Sequence, residues 1–341
     1  MQGSCIPEKA VISFCIPTYN RSEKVYNLVI ELLKYVSDDI EVVVLDNHST
    51  DNTKARLTTI KDSRFAFYEN ERNLGGIYNG LKVMTKGKGD FIVFCTDKDY
   101  INHQNIFKLI SFLKRNIDIA VAFCKLNTNE DEGPQIYTKG FEALKVMAYL
   151  SKHPTGYIYK NEYLSSLNIE DNFSDTSKVM AFPFEFICAE MCLLGKAAIV
   201  NIPLCSTEPR EEARRYKSHT YSGKDENAYF LPERRYDLLD NYIKHIENLN
   251  ICNKYKRFLV KKVLNQELIF ATIGFKQVCN DLYFCAHYNM KPRNIGAIEL
   301  LKYDLSFCSK FISRCSYGTR LYKLILCIQI HYSSAIKIIK Y

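Results

Sequence analysis

Two aspartates separated by one residue stand just after a run of five apolar residues. Phe91 to Cys95 are apolar throughout, which predicts a buried strand, and Asp97 and Asp99 follow it. Two carboxylates at the end of a buried strand suit a hard divalent cation, which prefers oxygen ligands. Taken alone, a D-x-D pair is more typical of a polar surface turn. The choice depends on which other polar loops reach the same place.

The strand before Asp97 belongs to a series in which strands and helices alternate. The predicted strands cover residues 11–16, 40–45, 64–68 and 91–95. Between the first two, apolar residues recur every three or four positions from Val25 to Val36, which predicts a helix with Ser22 as its N-cap. Alternating apolar strands and helices predict an α/β fold with a mostly parallel sheet and helices on both faces.

Polar loops follow three of these strands, at residues 17–21, 46–52 and 96–99. Because ligands bind beyond the carboxyl ends of parallel strands, we expect these loops to bring Asp46, Asp97 and Asp99 to one edge of the sheet. Neither G-x-G-x-x-G after the first strand nor G-x-x-x-x-G-K-[ST] anywhere is present. Phosphates would therefore be held by a metal ion and basic side chains.

Four segments, in this order, resemble motifs of the family 2 glycosyltransferases. They are Pro17-Thr18-Tyr19-Asn20-Arg21, the stretch VLDNHSTDNT at 44–53, the stretch NERNLGG at 70–76 and Thr96-Asp97-Lys98-Asp99. The second resembles the family's VDDGSTDGT, with Asn47 and His48 as departures. The resemblance covers about residues 10–125. It implies a GT-A (Rossmann-like) fold and inverting transfer of a sugar from a nucleotide diphosphate, usually with Mg²⁺ or Mn²⁺.

The same resemblance implies a role for individual residues. Asp46 is expected to contact the nucleobase or ribose, Asp97 to face the ribose and the metal, and Asp99 to ligate the metal. The other expected donor-binding residues are Pro17, Thr18, Tyr19, Asn20, Arg21, Asn73 and Gly75. Asp46 could instead cap the next helix, as we expect of Asp51, and Asn73 and Gly75 could form a plain turn.

An inverting transfer also needs a general base for the acceptor hydroxyl. The family usually has an acidic pair at a helix start, about ten residues before a glycine, and this chain lacks such a pair. We expect the base to be Glu185, which lies ten residues before Gly195 and where burial would raise its pKa. Glu190 and Asp175 are alternatives. Glu185 could also be a helix N-terminal carboxylate stabilised by the dipole.

A strongly charged stretch from Glu208 to His219 follows the last predicted strand of the sheet. Its position fits the loop that closes over the diphosphate in related enzymes. Arg214, Arg215, Lys217 and His219 are candidate phosphate contacts, and arginine offers paired donors. The alternative is a solvated charged helix.

The chain is predicted to have two parts. Residues 1–225 form the glycosyltransferase domain, with the donor half at about 1–125 and the acceptor half at about 126–225, and residues 226–341 form a helical region. From position 240 onward there are 16 Lys and Arg against 6 Asp and Glu, a net charge of +10, which leaves 30 − 32 = −2 for the first 239 residues. The basic region predicts an anionic partner, and no nucleic-acid recognition motif appears. It could contact a membrane surface, the catalytic domain or another subunit.

Thirteen scattered cysteines without metal-ligand spacing predict reduced thiols in a cytoplasmic protein, with a peripheral position on the inner face of the membrane left open. The predicted activity is sugar transfer from a nucleotide-sugar, with UDP favoured, to a glycan or lipid-linked glycan in lipopolysaccharide or capsule synthesis. A non-catalytic nucleotide-sugar or glycan-binding protein and a nucleotidyltransferase are the alternatives. The sugar, the acceptor and the oligomeric state stay open.

Overall fold

A computed structural model describes residues 9–128, 133–180, 182–209, 229–287 and 290–340. These residues form two compact units. The first unit comprises the chain up to Ser177 together with Phe182–Glu208. The second comprises Lys178 to Ala181 and the chain from Pro209 onward.

The first unit is built on a mixed sheet, which has nine strands in the described residues. They are β1 (Ile12–Thr18), β2 (Ile40–Asp46), β3 (Phe65–Glu69), β4 (Phe91–Phe94), β5 (Tyr100–Ile101), β6 (Ile119–Leu126), β7 (Gln135–Tyr137), β8 (Tyr157–Lys160) and β9 (Lys196–Ser206). Their order is β3-β2-β1-β4-β8-β6-β9-β5, with β7 paired to β9. The strands β3, β2, β1 and β4 are parallel, as are β6 and β9, whereas β8 is antiparallel to β4 and β6.

Helices separate most consecutive strands of the first unit, although none lies between β4 and β5 or between β6 and β7 in the described residues. They are α1 (Ser22–Leu33), α2 (Thr53–Leu57), α3 (Gly76–Met84), α4 (Ile106–Arg115), α5 (Phe141–Met147), α6 (Asn161–Ser166), α7 (Ile169–Phe173), α8 (Thr176–Val179, which ends in the second unit) and α9 (Pro183–Leu194). Aliphatic residues of β1, β2 and β4 are fully buried in one core with the apolar face of α1. The prediction of an α/β fold with a mostly parallel central sheet is confirmed.

Two local predictions at the ends of α1 are wrong. Ser22 is the first residue of the helix and makes no side-chain capping bond; its backbone N–H donates to Asp51 Oδ2 (3.1 Å) instead. Val36 was expected on the buried face, but α1 ends at Leu33 and the Val36 side chain is 91% exposed. The periodic apolar pattern therefore runs past the helix into the following turn.

The second unit is helical in its described residues, which confirms the predicted helical C-terminal region. Its helices are α10 (Pro232–Asn248), α11 (Asn253–Ile269), α12 (Phe275–Asn280), α13 (Leu282–His287), α14 (Ala297–Arg314) and α15 (Arg320–Lys340), with a π-helical turn at Phe270–Gly274. Leu238, Leu239 and Tyr242 bury one face of α10. Arg235 forms a buried ion pair with Glu267 (3.2 Å).

Among the described residues there is neither a disulfide bond nor a membrane-spanning helix. The twelve cysteines among them are all free thiols, and eleven of these are buried. None of the described helices combines the length and apolarity needed to cross a bilayer.

Candidate active site

Asp97 lies beside the end of β1, because β1 and β4 pair in parallel with Cys15 opposite Phe94. Thr18, the last residue of β1, donates from Oγ1 to Asp97 Oδ2 (2.8 Å). Arg21 donates from its guanidinium to Asp97 Oδ1 (2.7 Å). Both oxygens of this buried carboxylate therefore have a partner from the 17–21 loop.

Asp99, which is 2% exposed, is held mainly by hydroxyl groups. Thr96 Oγ1 donates to Asp99 Oδ2 (2.5 Å), Thr155 Oγ1 donates to the same oxygen, and the backbone N–H of Glu208 donates to Oδ1 (3.2 Å). Thr155 reaches Asp99 because β8, which begins at Tyr157, is antiparallel to β4. The sequence did not single out Thr155 or the Glu208 amide; a threonine just before a glycine at a strand start is the one signal for the former.

His153 lies at the rim of this group, with Nδ1 3.5 Å from Asp99 Oδ2. The same nitrogen accepts a hydrogen bond from the backbone N–H of Thr155 (3.2 Å), so it carries no proton in this arrangement. Burial lowers the pKa of His153, while the Asp99 charge raises it. The approach to Asp99 is therefore a contact of a neutral ring.

Asp46 ends β2, directly opposite Thr18 in the β1–β2 register. Its carboxylate is fully buried and accepts hydrogen bonds from the N–H (3.2 Å) and hydroxyl of Ser49. Burial raises the pKa of Asp46, and the Ser49 bonds oppose that rise. Asn52 is the N-cap residue of α2, and Asp51 Oδ1 accepts from Thr53 N (2.9 Å) beside it. Asp46 bonds instead to Ser49, which precedes the helix, so the alternative of Asp46 as that cap is wrong.

The 17–21 and 46–52 loops are tied together by Asn20. Its backbone N–H donates to Ser49 Oγ (2.8 Å), and its Oδ1 accepts from Thr50 N (2.8 Å). Asn20 has a left-handed φ of 52°, a conformation that asparagine tolerates better than most residues. The Ser49 hydroxyl thus links Asn20 to Asp46.

Asn73 and Gly75 form a turn attached to the 46–52 loop. Asn47 Nδ2 and Gly75 N–H both donate to Asn73 Oδ1 (2.8 and 2.9 Å), and Asn47 Oδ1 accepts from Leu74 N (2.9 Å). Gly75 has φ 85° with open space around it, so its backbone conformation requires glycine. Asn47, where this sequence departs from the family motif, joins the two loops.

The structure therefore brings the predicted loops to one edge of the sheet. Asp46 and Thr18 end the neighbouring strands β2 and β1, and Asp97, three residues beyond the end of β4, bonds to Thr18. Pro17 lies within β1 and Tyr19 is half-buried in the loop beyond it. The predicted phosphate contacts Arg214, Arg215, Lys217 and His219 lie outside the described residues.

Glu185 lies in the first turn of α9 and is 1% exposed. Its carboxylate accepts hydrogen bonds from the backbone N–H groups of Leu150 and Lys152 (both 2.6 Å) and from the Tyr157 hydroxyl (2.9 Å). Burial raises the pKa of Glu185, and the two backbone bonds oppose that rise. Glu185 thus holds the 150–152 loop, which leads directly into His153 and Thr155.

The carboxylate oxygens of Asp97 and Asp99 are suitable ligands for Mg²⁺ or Mn²⁺. Among the described side chains, no three His, Cys, Asp or Glu residues are arranged to hold a metal ion by themselves. Two buried carboxylates at a loop edge can nevertheless supply one or two oxygen ligands, and waters and substrate phosphates commonly complete such sites. The hydroxyl donors around Asp99 can rotate away from an oxygen that takes a metal.

Comparison with known sequences finds similarity to one family model and to several glycosyltransferases. The family model described as glycosyl transferase family 2 matches residues 13–170, a span that includes Asp46, Asp97 and Asp99 and ends before Glu185. The sequence is 24% identical over 268 residues to the poly(ribitol-phosphate) β-N-acetylglucosaminyltransferase TarS of Staphylococcus aureus. It is 31% identical over 107 residues to the UDP-Glc:α-D-GlcNAc-diphosphoundecaprenol β-1,3-glucosyltransferase WfaP of Escherichia coli.

These alignments cover only part of each relative. The TarS match takes in 77% of this chain but 45% of TarS, and the WfaP match takes in 30% of this chain and 41% of WfaP. The matched segments thus span less than half the length of TarS and of WfaP.

Solved structures show the same fold at low sequence identity. The S. aureus TarS 1–349 structure in complex with UDP-GlcNAc matches with a TM-score of 0.61 at 19% identity, covering 95% of this chain and 90% of that one. The mannosyltransferase PcManGT of Pyrobaculum calidifontis, in complex with GDP-Man and Mn²⁺, matches with a TM-score of 0.53 at 14% identity, covering 96% and 86%. The chain therefore has the GT-A fold of these glycosyltransferase structures, and its residues 13–170 match the model described as glycosyl transferase family 2.

Proposed function

We propose that this chain is an inverting glycosyltransferase. It would move a sugar from a nucleotide diphosphate, with UDP favoured, to a hydroxyl of a glycan or lipid-linked glycan. The observation that carries the proposal is the meeting of Asp46, Asp97 and Asp99 at the carboxyl edge of the sheet, inside a family 2 domain. The UDP-GlcNAc in the TarS complex and the UDP-Glc in the name of WfaP support UDP as the nucleotide.

The donor would lie across the ends of β2, β1 and β4. We propose that Asp46 accepts a hydrogen bond from the nucleobase or ribose, with Thr18, Asn20, Asn73 and Gly75 shaping the pocket around it. The Ser49 hydroxyl that now bonds to Asp46 can rotate to share the carboxylate with a ligand. Arg214, Arg215 and His219 remain the proposed diphosphate contacts.

Asp99 and Asp97 would hold Mg²⁺ or Mn²⁺ at the diphosphate. A bound divalent ion supplies stabilisation of the negative charge that develops on the leaving diphosphate. The chain's own part is to hold both carboxylates in place at the edge of the sheet. Arg21 and Thr18 do this for Asp97, and Thr96 and Thr155 do it for Asp99. The Mn²⁺ in the PcManGT complex supports the use of a divalent metal.

Glu185 is our proposed general base, because burial raises its pKa toward the range in which a carboxylate can accept a proton. Its carboxylate already accepts three hydrogen bonds, so the 150–152 loop must shift before an acceptor hydroxyl can reach it. Asp175 is an exposed residue that accepts from Ser177 N (3.0 Å) at the start of α8, which ranks it behind Glu185. Glu190, half-buried on α9, remains the other reserve.

The burial of Glu185 also favours a second candidate, a nucleotide-sugar-binding protein without transfer activity. In that case Glu185 would only hold the 150–152 loop. Turnover of UDP-, GDP- and dTDP-sugars with Mn²⁺ separates the two functions, because a binding protein would be stabilised by a nucleotide without consuming any donor.

The test of the donor site is a thermal-shift screen of nucleoside diphosphates, with and without Mn²⁺, on the wild type and Asp99→Ala. We expect one nucleotide to raise the melting temperature only with Mn²⁺, and this rise to vanish in Asp99→Ala. Asp62→Ala is the matched control, since Asp62 pairs with Arg64 away from the site. Equal stabilisation of the wild type and Asp99→Ala would remove Asp99 from the metal.

We further propose a role in bacterial surface polysaccharide assembly, in the cytoplasm or at the inner membrane face. The acceptor in the name of WfaP is lipid-linked, and that in the name of TarS is a poly(ribitol-phosphate). Transfer assays with one acceptor of each kind would decide between them.

A further inference from the structure

The last helix, α15, presents apolar side chains in two opposite directions. One side is buried in the second unit through Leu326, Cys327, Ile330 and Ile338. The other, which we call the outer face of α15, consists of Leu321, Leu324, Ile325, Ile328 and Ile336, each 40–66% exposed. At 100° per residue these five positions fall within an arc of about 120°. An exposed helix face is normally polar, so this arrangement needs an explanation.

The outer face continues onto the neighbouring helix. Leu305 of α14 is exposed and lines a cavity of about 720 Å³ together with Ile328. Single exposed apolar residues are ordinary on protein surfaces, whereas a contiguous group that spans two helices marks a binding surface.

Cations border this apolar surface. Residues 297–340 contain seven Lys and Arg against two Asp and Glu, so their net charge is 7 − 2 = +5. Arg320 is exposed at the start of α15, and Lys302 is exposed on α14 three residues before Leu305. The cavity beside Ile328 is also lined by Arg320, Lys323 and His331. Of the two acids, Asp304 is buried and bonded to His331 Nδ1 (2.6 Å).

We propose that the outer face of α15 lies on the surface of an anionic phospholipid bilayer. An amphipathic helix of this kind inserts its apolar face at the level of the headgroups while flanking cations contact the lipid phosphates. The charge argues against a second copy of this chain as the occupant, because two faces of the same positive sign would meet. The inference rests on the second unit alone and holds whether or not the proposed transfer reaction is correct.

The test is co-sedimentation of the full chain with phospholipid vesicles. One set of vesicles contains phosphatidylglycerol and phosphatidylcholine in equal parts, and the other contains phosphatidylcholine alone. The variant is Leu324→Glu combined with Ile328→Glu, which places two acidic groups on the outer face. The matched control is Leu282→Glu, an equally exposed apolar residue of α13 outside that face.

We expect wild type and Leu282→Glu to bind the anionic vesicles, with binding that weakens at high salt. The double variant should lose about tenfold or more of the affinity, since each apolar side chain withdrawn from the lipid costs about that much. Its melting temperature and circular dichroism should match those of the wild type, because both side chains are exposed.

Three results would overturn the proposal. The first is equal vesicle binding by the double variant and the wild type. The second is equal binding to the uncharged vesicles. The third is a wild-type oligomer that the double variant dissociates, without vesicle binding by either, which would make the outer face an interface between copies.

Discussion

In the first unit, the buried carboxylates of Asp97 and Asp99 differ from that of Glu185 in the groups that donate hydrogen bonds to them. Asp97 and Asp99 receive their hydrogen bonds from the hydroxyls of Thr18, Thr96 and Thr155, from the Arg21 guanidinium and from one backbone amide. Glu185 receives two of its three from backbone amides of the 150–152 loop.

The difference decides how readily each carboxylate can take a new ligand. A hydroxyl or guanidinium can turn aside when a metal or nucleotide arrives, at the cost of one rotamer change. A backbone amide leaves only if the chain moves, and Tyr149 and Ser151 hold that loop in left-handed conformations (φ 57° and 50°) that cannot easily be rebuilt. Asp99 is thus suited to exchange partners, and Glu185 is suited to hold a loop unless that loop opens.

The largest effect should come from Glu185→Gln. If Glu185 is the base, kcat should fall by about 10²–10⁴-fold, because the acceptor hydroxyl loses its proton acceptor. Nucleotide-dependent stabilisation with Mn²⁺ should persist, since the donor site is not touched. Transfer kinetics and thermal shift on the same protein measure both.

The control for that variant is Tyr157→Phe, which removes one hydrogen bond to Glu185 and leaves its charge. It should cost about 1 kcal/mol of stability and little activity. Loss of nucleotide binding in Glu185→Gln would contradict the role of Glu185 as general base. Its role would then be to position the loop that leads to Thr155.

The next largest effect should come from Asp99→Asn, which keeps the shape of the side chain and removes its charge. We expect the transfer rate to fall by about 10²–10³-fold, the range seen when one stabilising group at a developing charge is lost. Rates measured over a Mn²⁺ titration should show partial recovery at high metal. Asp62→Asn should behave like the wild type at every metal concentration. Full activity of Asp99→Asn in a chelator would exclude a metal role.

The pH dependence of the free energy of unfolding gives a third test, which concerns the buried environment of Glu185. Burial raises the pKa of Glu185 above its ordinary value of 4.5, so the folded chain holds this proton more tightly than the unfolded chain. The contribution of the protonated Glu185 to the free energy of unfolding is therefore complete below about pH 4.5 and is lost as the pH rises through the folded pKa. The free energy of unfolding falls by up to about 1.4 kcal/mol per pH unit over this range. Denaturant unfolding of the wild type over this range should show the slope, and Glu185→Gln should lack it. Parallel curves for the two proteins would refute the raised pKa.

The positions of Asp46, Asp97 and Asp99 could be predicted from the sequence because the relevant information is local. Each follows a run of at least four apolar residues in or after a strand, and parallel strands bring their carboxyl ends to one edge. The loop residues that join these strands, such as Asn20 and Asp51, are of types that bond backbone amides.

The partners of the two carboxylate sets could not be predicted in this way. Thr155 reaches Asp99 across 56 residues through the antiparallel pairing of β8 with β4, which no local pattern specifies. The backbone amides that bond Glu185 are present in every residue, so side-chain types do not reveal them. The end of α1 before Val36 was missed for a related reason, because apolar spacing continues where hydrogen bonding stops.

The smallest effect on activity should come from Thr155→Val. This variant tests whether the hydroxyl partners of Asp99 give way to a metal ion. This change removes one hydroxyl donor from Asp99 Oδ2 and leaves Thr96 Oγ1 on the same oxygen. It also removes the acceptor of the Thr96 backbone N–H (3.0 Å). Stability without ligand should fall by about 2–3 kcal/mol, because two hydrogen bonds are lost and the Thr96 N–H loses its acceptor. Mn²⁺ with nucleotide should bind as well as before or more tightly, since a donor that competes with the metal is gone. Calorimetric titration and denaturant unfolding measure the two quantities. If the variant binds metal and nucleotide much more weakly while it stays folded, Thr155 must orient Asp99 in the bound state as well, and its hydroxyl would not be an exchangeable partner.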